Sequence, residues 1–201
     1  MVLFTLLSAL VACVPSRSRR GDDDDSAEEN ENTGDDDDDD DDDVALPEVP
    51  NTDHCDPVSG WNDDWSELEV RVLELTNQAR ATGLDCAEMG VFPPAPPLVM
   101  QEHLRCSSRL HSVDMAERGY FEHTNPEGEG PGERMSAAGY PWTGFGENIG
   151  WGYPTAEGMM EGWITSPGHC SNLMTDWFTE LGVGFFSQGN TITWTQNFGT
   201  R

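Results

Sequence analysis

Nine consecutive aspartates, Asp35 to Asp43, keep the first quarter of this 201-residue chain out of any packed core. Such a run has no apolar surface to bury and repels itself, so it is expected to be extended and solvated. The stretch from Asp22 to Asp53 holds 18 of the 38 acidic residues and no Lys or Arg. The fold must come from the remainder. Residues 54–201 carry 20 acids against seven Arg, a net of −13 within the total of −28. That balance is acidic but compatible with one globular domain, and the length suffices for it. All ten basic residues are Arg. A chain so charged repels nucleic acid and anionic membrane surfaces, because counterion release has the wrong sign. Nucleic acid is therefore excluded as a partner.

Ahead of the acidic tract, Met1 to Ala12 is apolar and rich in small residues, too short to span a bilayer and of signal-peptide length. Leu10-Val11-Ala12-Cys13 resembles the lipobox of bacterial lipoproteins, in which the cysteine takes lipid. The resemblance implies a signal peptide over residues 1–12 and a membrane partner through lipid on Cys13; an ordinary signal peptide with an incidental Cys13 is the alternative. Val14 stands where an Asp would retain a lipoprotein at an inner membrane. The location expected is extracytoplasmic: anchored to a bacterial envelope, on its outer membrane where there is one, or secreted. Residues 13–60 then form an Asp-rich tether, of at most about 160 Å at roughly 3.3 Å per residue, and residues 61–201 form the domain.

With Cys13 lipidated, four cysteines remain, Cys55, Cys86, Cys106 and Cys170, an even number in an oxidising compartment. Two disulfides follow, with three connectivities open. Pairing Cys86 with Cys170 and Cys55 with Cys106 is preferred, because Cys55 precedes the domain and would pin its N-terminal arm. No close pair of cysteines suggests a metal site.

Hydrophobic spacing predicts helices. Ser66-x-x-Glu69 reads as a capping box, followed by Leu68, Val72, Leu75 and Ala79 and closed by Gly83. A second helix is expected from about Met100 to Arg118, with Leu104, Ser108, His111 and Met115 on one stripe. Shorter helices are expected around Glu133 to Ala138, from Thr155 to before Ser166-Pro167, and over Cys170 to Met174. Cys86 to Pro97 reads as a Pro-rich loop. Leu181 to Ser187 and Thr191 to Phe198 flank Gln188-Gly189-Asn190 as a β-hairpin. Helices with antiparallel strands in one compact domain predict an α+β fold.

Eight segments, in order, resemble bacterial CAP domains, the superfamily of cysteine-rich secretory proteins, antigen 5 and pathogenesis-related proteins. They are LTNQAR from Leu75, HSVDM from His111, GYFEHTNPEG from Gly119, RMSAAGY from Arg134, GENIGWG from Gly146, WITSPGHCSNLM from Trp163, ELGVG from Glu180 and WTQNFG from Trp194. The resemblance covers Trp65 to Gly199. It implies a three-layer α-β-α sandwich with a central antiparallel sheet and a broad cleft lined by His and Glu, where some members bind zinc or another divalent ion. By motif, His123 and Glu147 fall on two of the cleft positions and His169 on a third. The match departs where Thr193 and Ser166 stand at positions that other members give to His and Glu.

Two imidazoles and a carboxylate suit zinc with an open water position; without metal the same trio makes a polar cleft in which Glu147 accepts bonds from both rings. The plainer readings are that His123 caps the turn at Thr124-Asn125-Pro126, that His169 packs beside the Cys170 disulfide, and that Glu147 clamps backbone N–H groups of a Gly-rich loop. His111 and Glu180 are second candidates for the cleft, a core histidine and a solvated strand-end charge being their plainer readings. The tryptophans at 142, 151, 163, 177 and 194 are expected mostly in the core, with one or two flooring a groove. There is no HExxH helix and no nucleophile elbow, and Ser112 beside His111 cannot face it. No catalytic residue is assigned. The function expected is a non-enzymatic cleft that holds a divalent ion, a small lipid, glycan or peptide, or both. The alternatives are a metal-dependent hydrolase using His123, Glu147 and His169, and a structural head of the cell envelope.

Overall fold

The computed structural model describes residues 48–201. The expected signal peptide, Cys13 and the Asp run lie outside the described residues.

Helix α1 spans Asp63–Thr82 and is capped by the Asn62 side chain, which accepts from Trp65 N. The capping box expected at Ser66 is therefore one turn inside the helix. Asn62 with Asp63 and Asp64 behind it supplies both the cap and the charge that favour an N-terminus. Glu69 does not fold back onto a cap; it is fully buried and receives Arg105 at 2.9 Å and Arg109 at 2.8 Å. Gly83, at φ 77°, ends the helix. The Pro-rich segment that follows holds a two-residue antiparallel pair, β1 (Leu84–Asp85) with β2 (Val91–Phe92), and then β3 (Val99–Met100).

Helix α2, Glu102–Arg118, is capped by Gln101 and stopped by the left-handed Gly119. Helix α3, Pro131–Ala137, opens on proline. Strand β4, Gly144–Trp151, leads to α4 (Ala156–Ile164), capped by Thr155, and α5 (Pro167–Met174). The chain closes with the hairpin β5 (Glu180–Gln188) and β6 (Thr191–Thr200). The main sheet runs β3-β5-β6-β4: β6 is antiparallel to β5 and β4, and the short β3 joins β5 in parallel.

Helices cover both faces of this sheet, giving the three layers. One face carries Leu181, Val183, Phe185, Trp194 and Phe198 against α1, α4 and α5, forming the main apolar core with Val72, Met160 and Trp163. The other face is built of small and polar residues. A Cβ on Gly182 or Gly184 would collide with α2 backbone at Leu104 and Ser108, so α2 lies directly on the strands. Ser112 Oγ donates to Gly184 O at 2.9 Å, Ser108 Oγ to Gly182 O at 3.1 Å, and Thr193 Oγ1 to Ser112 O at 2.8 Å. The helix replaces apolar burial there with satisfied polar contacts. Disulfides join Cys55 to Cys106 and Cys86 to Cys170. The first ties the N-terminal arm to α2, and the second ties the Pro-rich segment to α5.

Candidate functional site

Glu147 was expected in a Gly-rich loop; it lies in strand β4, paired with Asn197 of β6. The glycines that suggested a loop are spacers. Side chains at Gly144, Gly146 and Gly150 would strike Trp177, Phe178 and Met159. Glycine alternation lets α4, α5 and the segment after them close onto one face of β4. Phe145, Glu147, Ile149 and Trp151 occupy the opposite face. As the sheet's edge strand, β4 has carbonyls aimed away from β6. Those of Glu147 and Ile149 are taken by Asn172 Nδ2 at 3.1 Å and Trp163 Nε1 at 3.0 Å.

The Glu147 side chain is 1% exposed and both its oxygens are engaged. Oε1 receives His123 Nδ1 at 2.8 Å, and Oε2 receives Arg134 Nη2 at 2.6 Å. Arg134 Nη1 also donates to the carbonyls of His123 and Glu129, tying the loop that carries His123 to α3. His123 itself is half exposed. A buried ion pair needs hydrogen bonds such as these to offset its desolvation, and one donor of the pair, Arg134 Nε, is left without a partner. Arg134 belongs to a segment quoted above for its resemblance, but its role was not read from the sequence. The available signal was scarcity: with seven Arg and no Lys in 54–201, any Arg between apolar residues is worth tracing.

His169, on α5, is partly buried near His123; burial, then the charge of His123, lower its pKa. Its carbonyl accepts from Asn148 Nδ2 at 3.2 Å. His111 lies 4.0 Å from Glu147 on the α2 side, 1% exposed, with Nε2 unpartnered. Burial pushes its pKa down to about 4, so the ring is neutral at pH 7. Its Nδ1 lies 3.5 Å from the Tyr120 hydroxyl, which bonds Asp114. Glu180 is neither in the cleft nor a solvated charge: it is buried, bonded by Tyr140 OH at 2.5 Å and by Arg201 at 2.7 Å.

These residues do not fit a metal ion as they stand. Among the described residues no three His, Cys, Asp or Glu side chains are grouped to hold one. The one buried carboxylate at the site is committed to a guanidinium, whose charge opposes a cation beside it. Among the described residues the His123 ring is hydrogen-bonded to Glu147 and to no hydroxyl or thiol.

Aromatic side chains flank the trio. Only Trp163 and Trp194 of the five tryptophans expected mostly in the core are buried, whereas Trp142, Trp151 and Trp177 are exposed. On the Glu147 face, Phe145 packs edge-on to Trp142 at 4.7 Å and Trp151 to Phe121 at 5.8 Å. At a strand rise of about 3.3 Å these pairs sit on the order of 7 and 13 Å from Glu147 along β4.

Residues 73–198 match the description Cysteine-rich secretory protein family. The chain is 35% identical over 133 residues to YkwD of Bacillus subtilis (strain 168), an alignment covering 66% of this chain and 47% of that one. It is 34% identical over 139 residues to the membrane protein YlbC of the same organism, covering 69% and 36%. The chain thus spans less than half the length of these relatives. An SCP-domain extracellular protein from Bacillus anthracis str. Ames superposes with a TM-score of 0.57 at 27% identity, over 68% of this chain and 41% of its own. An outer surface protein of Borrelia burgdorferi superposes at 0.54 with 17% identity, over 70% and 94%, a likeness of fold.

Proposed function

Given that the chain belongs to the cysteine-rich secretory protein family, we propose that its domain is a non-enzymatic, extracytoplasmic head that captures a glycan in the cleft over β4. The placement of Glu147 carries this reading: a fixed polar trio, His123, Glu147 and Arg134, lies between two exposed aromatic pairs on one strand face. A saccharide alternates C–H faces, which pack on aromatic rings, with hydroxyls, which bond imidazole and carboxylate. A lipid tail would need a continuous apolar floor, which the ion pair interrupts. The extracytoplasmic location rests on the extracellular SCP-domain relative and the two disulfides. Lipid on Cys13 would hold the head at a membrane surface; the tether expected over residues 13–60 stops short of Cys55 and Val58, which are buried in the domain beside Cys106.

The test uses the full chain and soluble N-acetylglucosamine oligosaccharides, followed by tryptophan fluorescence and calorimetry. Saturable binding is expected, lost in Trp151→Ala and weakened about tenfold in His123→Ala. Zinc is titrated in parallel. One-to-one zinc binding lost in the double variant His123→Ala with His169→Ala would replace the glycan reading with a metal centre. Absence of saccharide binding would overturn it directly.

A further inference from the structure

A concavity is bordered by Arg134 and His111. It has a volume of about 320 Å³, at the lower end for small-molecule pockets, and opens between α2, α3 and the loop joining them. Leu110, Val113 and Ala137 give it an apolar wall. Its guanidinium groups are already neutralised. Arg118 is bound at 2.7 Å by Glu127 and at 3.1 Å by Asp114, and Arg134 by Glu147. Its carboxylates are less well matched. The Glu129 carboxylate accepts from Asn125 Nδ2 at 2.9 Å, Arg134 bonding only its main-chain carbonyl, and among the described residues neither Glu117 nor Glu129 has an ion-pair partner. His111, on the same wall, is uncharged at pH 7. Two buried nitrogens of the lining, His111 Nε2 and Arg134 Nε, have no hydrogen-bond partner. Both atoms are shut off from solvent and His111 Nε2 faces Glu147 Oε1 at 4.0 Å, so the contacts open to a ligand are the apolar wall and the carboxylates.

We propose that this cavity is a second binding site, for a small organic cation whose apolar body lies on Leu110, Val113 and Ala137 and whose ammonium faces Glu117 and Glu129. Arg134 borders both sites, but the proposal does not rest on the glycan reading, since its contacts are to Leu110, Val113, Ala137, Glu117 and Glu129 and not to His123, Glu147 or the aromatic pairs.

Cyclohexylammonium, cyclohexanol and cyclohexanecarboxylate are matched probes of one shape and three charges. Each is titrated into the full chain, with calorimetry for affinity and backbone amide shifts for position. The ammonium is expected to bind, moving the amides of Leu110, Val113 and Ala137; the alcohol is expected to bind about tenfold more weakly and the carboxylate not at all. Glu117→Gln with Glu129→Gln, both exposed and isosteric, is expected to weaken the ammonium about tenfold. Val113→Phe, which fills the space without touching a charge, is expected to abolish it. Equal binding of the three probes, shifts confined to other residues, undiminished binding in the double Gln variant, or no binding of the ammonium would each overturn the proposal.

Discussion

His111 shows what burial does to one titratable ring. With the side chain shut between α2 and Glu147, its charged form has lost water, and the nearby Arg134 offsets much of what Glu147 offers it. Unfolded, the ring takes its proton near pH 6.5; folded, near 4. Between those values the unfolded chain binds the extra proton, so acidification favours unfolding. The stability lost through this one group from pH 6.5 down to 4 is about 3 kcal/mol. Urea melts across that window are expected to lose most of this slope in His111→Gln. A slope unchanged by the substitution would place the pH sensitivity elsewhere. The helical stripe through Leu104 and Met115 was enough to read His111 as a core residue. Its neighbour Glu147 was beyond reach, because that contact joins residues 36 apart in sequence.

Among the elements, legibility followed the source of the information. The helices α2, α4 and α5 and the β5–β6 hairpin were visible because caps, proline and alternation are written locally. Strand β4 was not. Its glycines answer to Trp177, Phe178 and Met159, which arrive from elsewhere in the chain, and locally they imitate a loop. The same logic makes Gly184 a sharp test. Adding a Cβ there meets the backbone of Ser108 and Arg109 rather than the end of a flexible side chain, so α2 has to move bodily off the sheet. Gly184→Ala is expected to cost about 3 kcal/mol, the upper part of the overpacking range. Gly168→Ala, with open space around its Cβ, serves as control. Equal melting temperatures for the two variants would contradict the close packing of α2. Glu147, His123 and Arg134 likewise come together only through β4, so His123 and Glu147 could be named by motif while the guanidinium bound to them could not.

At the scale of the whole molecule, the two faces of the sheet are held by different physics: one by apolar burial, the other by short polar contacts over glycine. The disulfides cross-link both layers. Cys55–Cys106 spans 51 residues and anchors the arm on the polar side; Cys86–Cys170 spans 84 and anchors α5 on the apolar side. By chain entropy each contributes up to about 4 kcal/mol. Removing Cys86–Cys170 as the double Ser variant is expected to lower the melting temperature and also to free α5, which carries His169 and Asn172. Removing Cys55–Cys106 is expected to lower it without disturbing His169. The nuclear resonances of His169 distinguish the two, and identical perturbation by both variants would contradict the assignment. With Cys13 set aside, the four remaining cysteines foretold two bridges, and of the three connectivities possible the pairing preferred from the sequence, Cys55 with Cys106 and Cys86 with Cys170, is the one observed.

The capped carbonyls of β4 bear on how such heads behave when crowded. An exposed strand is a template on which a neighbour's strand can grow, and repeated addition is how folded proteins become fibres. Here one border of the sheet is only two residues long, and the other has its middle oxygens occupied by Trp163 and Asn172. Copies packed side by side therefore meet as closed tiles, able to jostle at high density without knitting together.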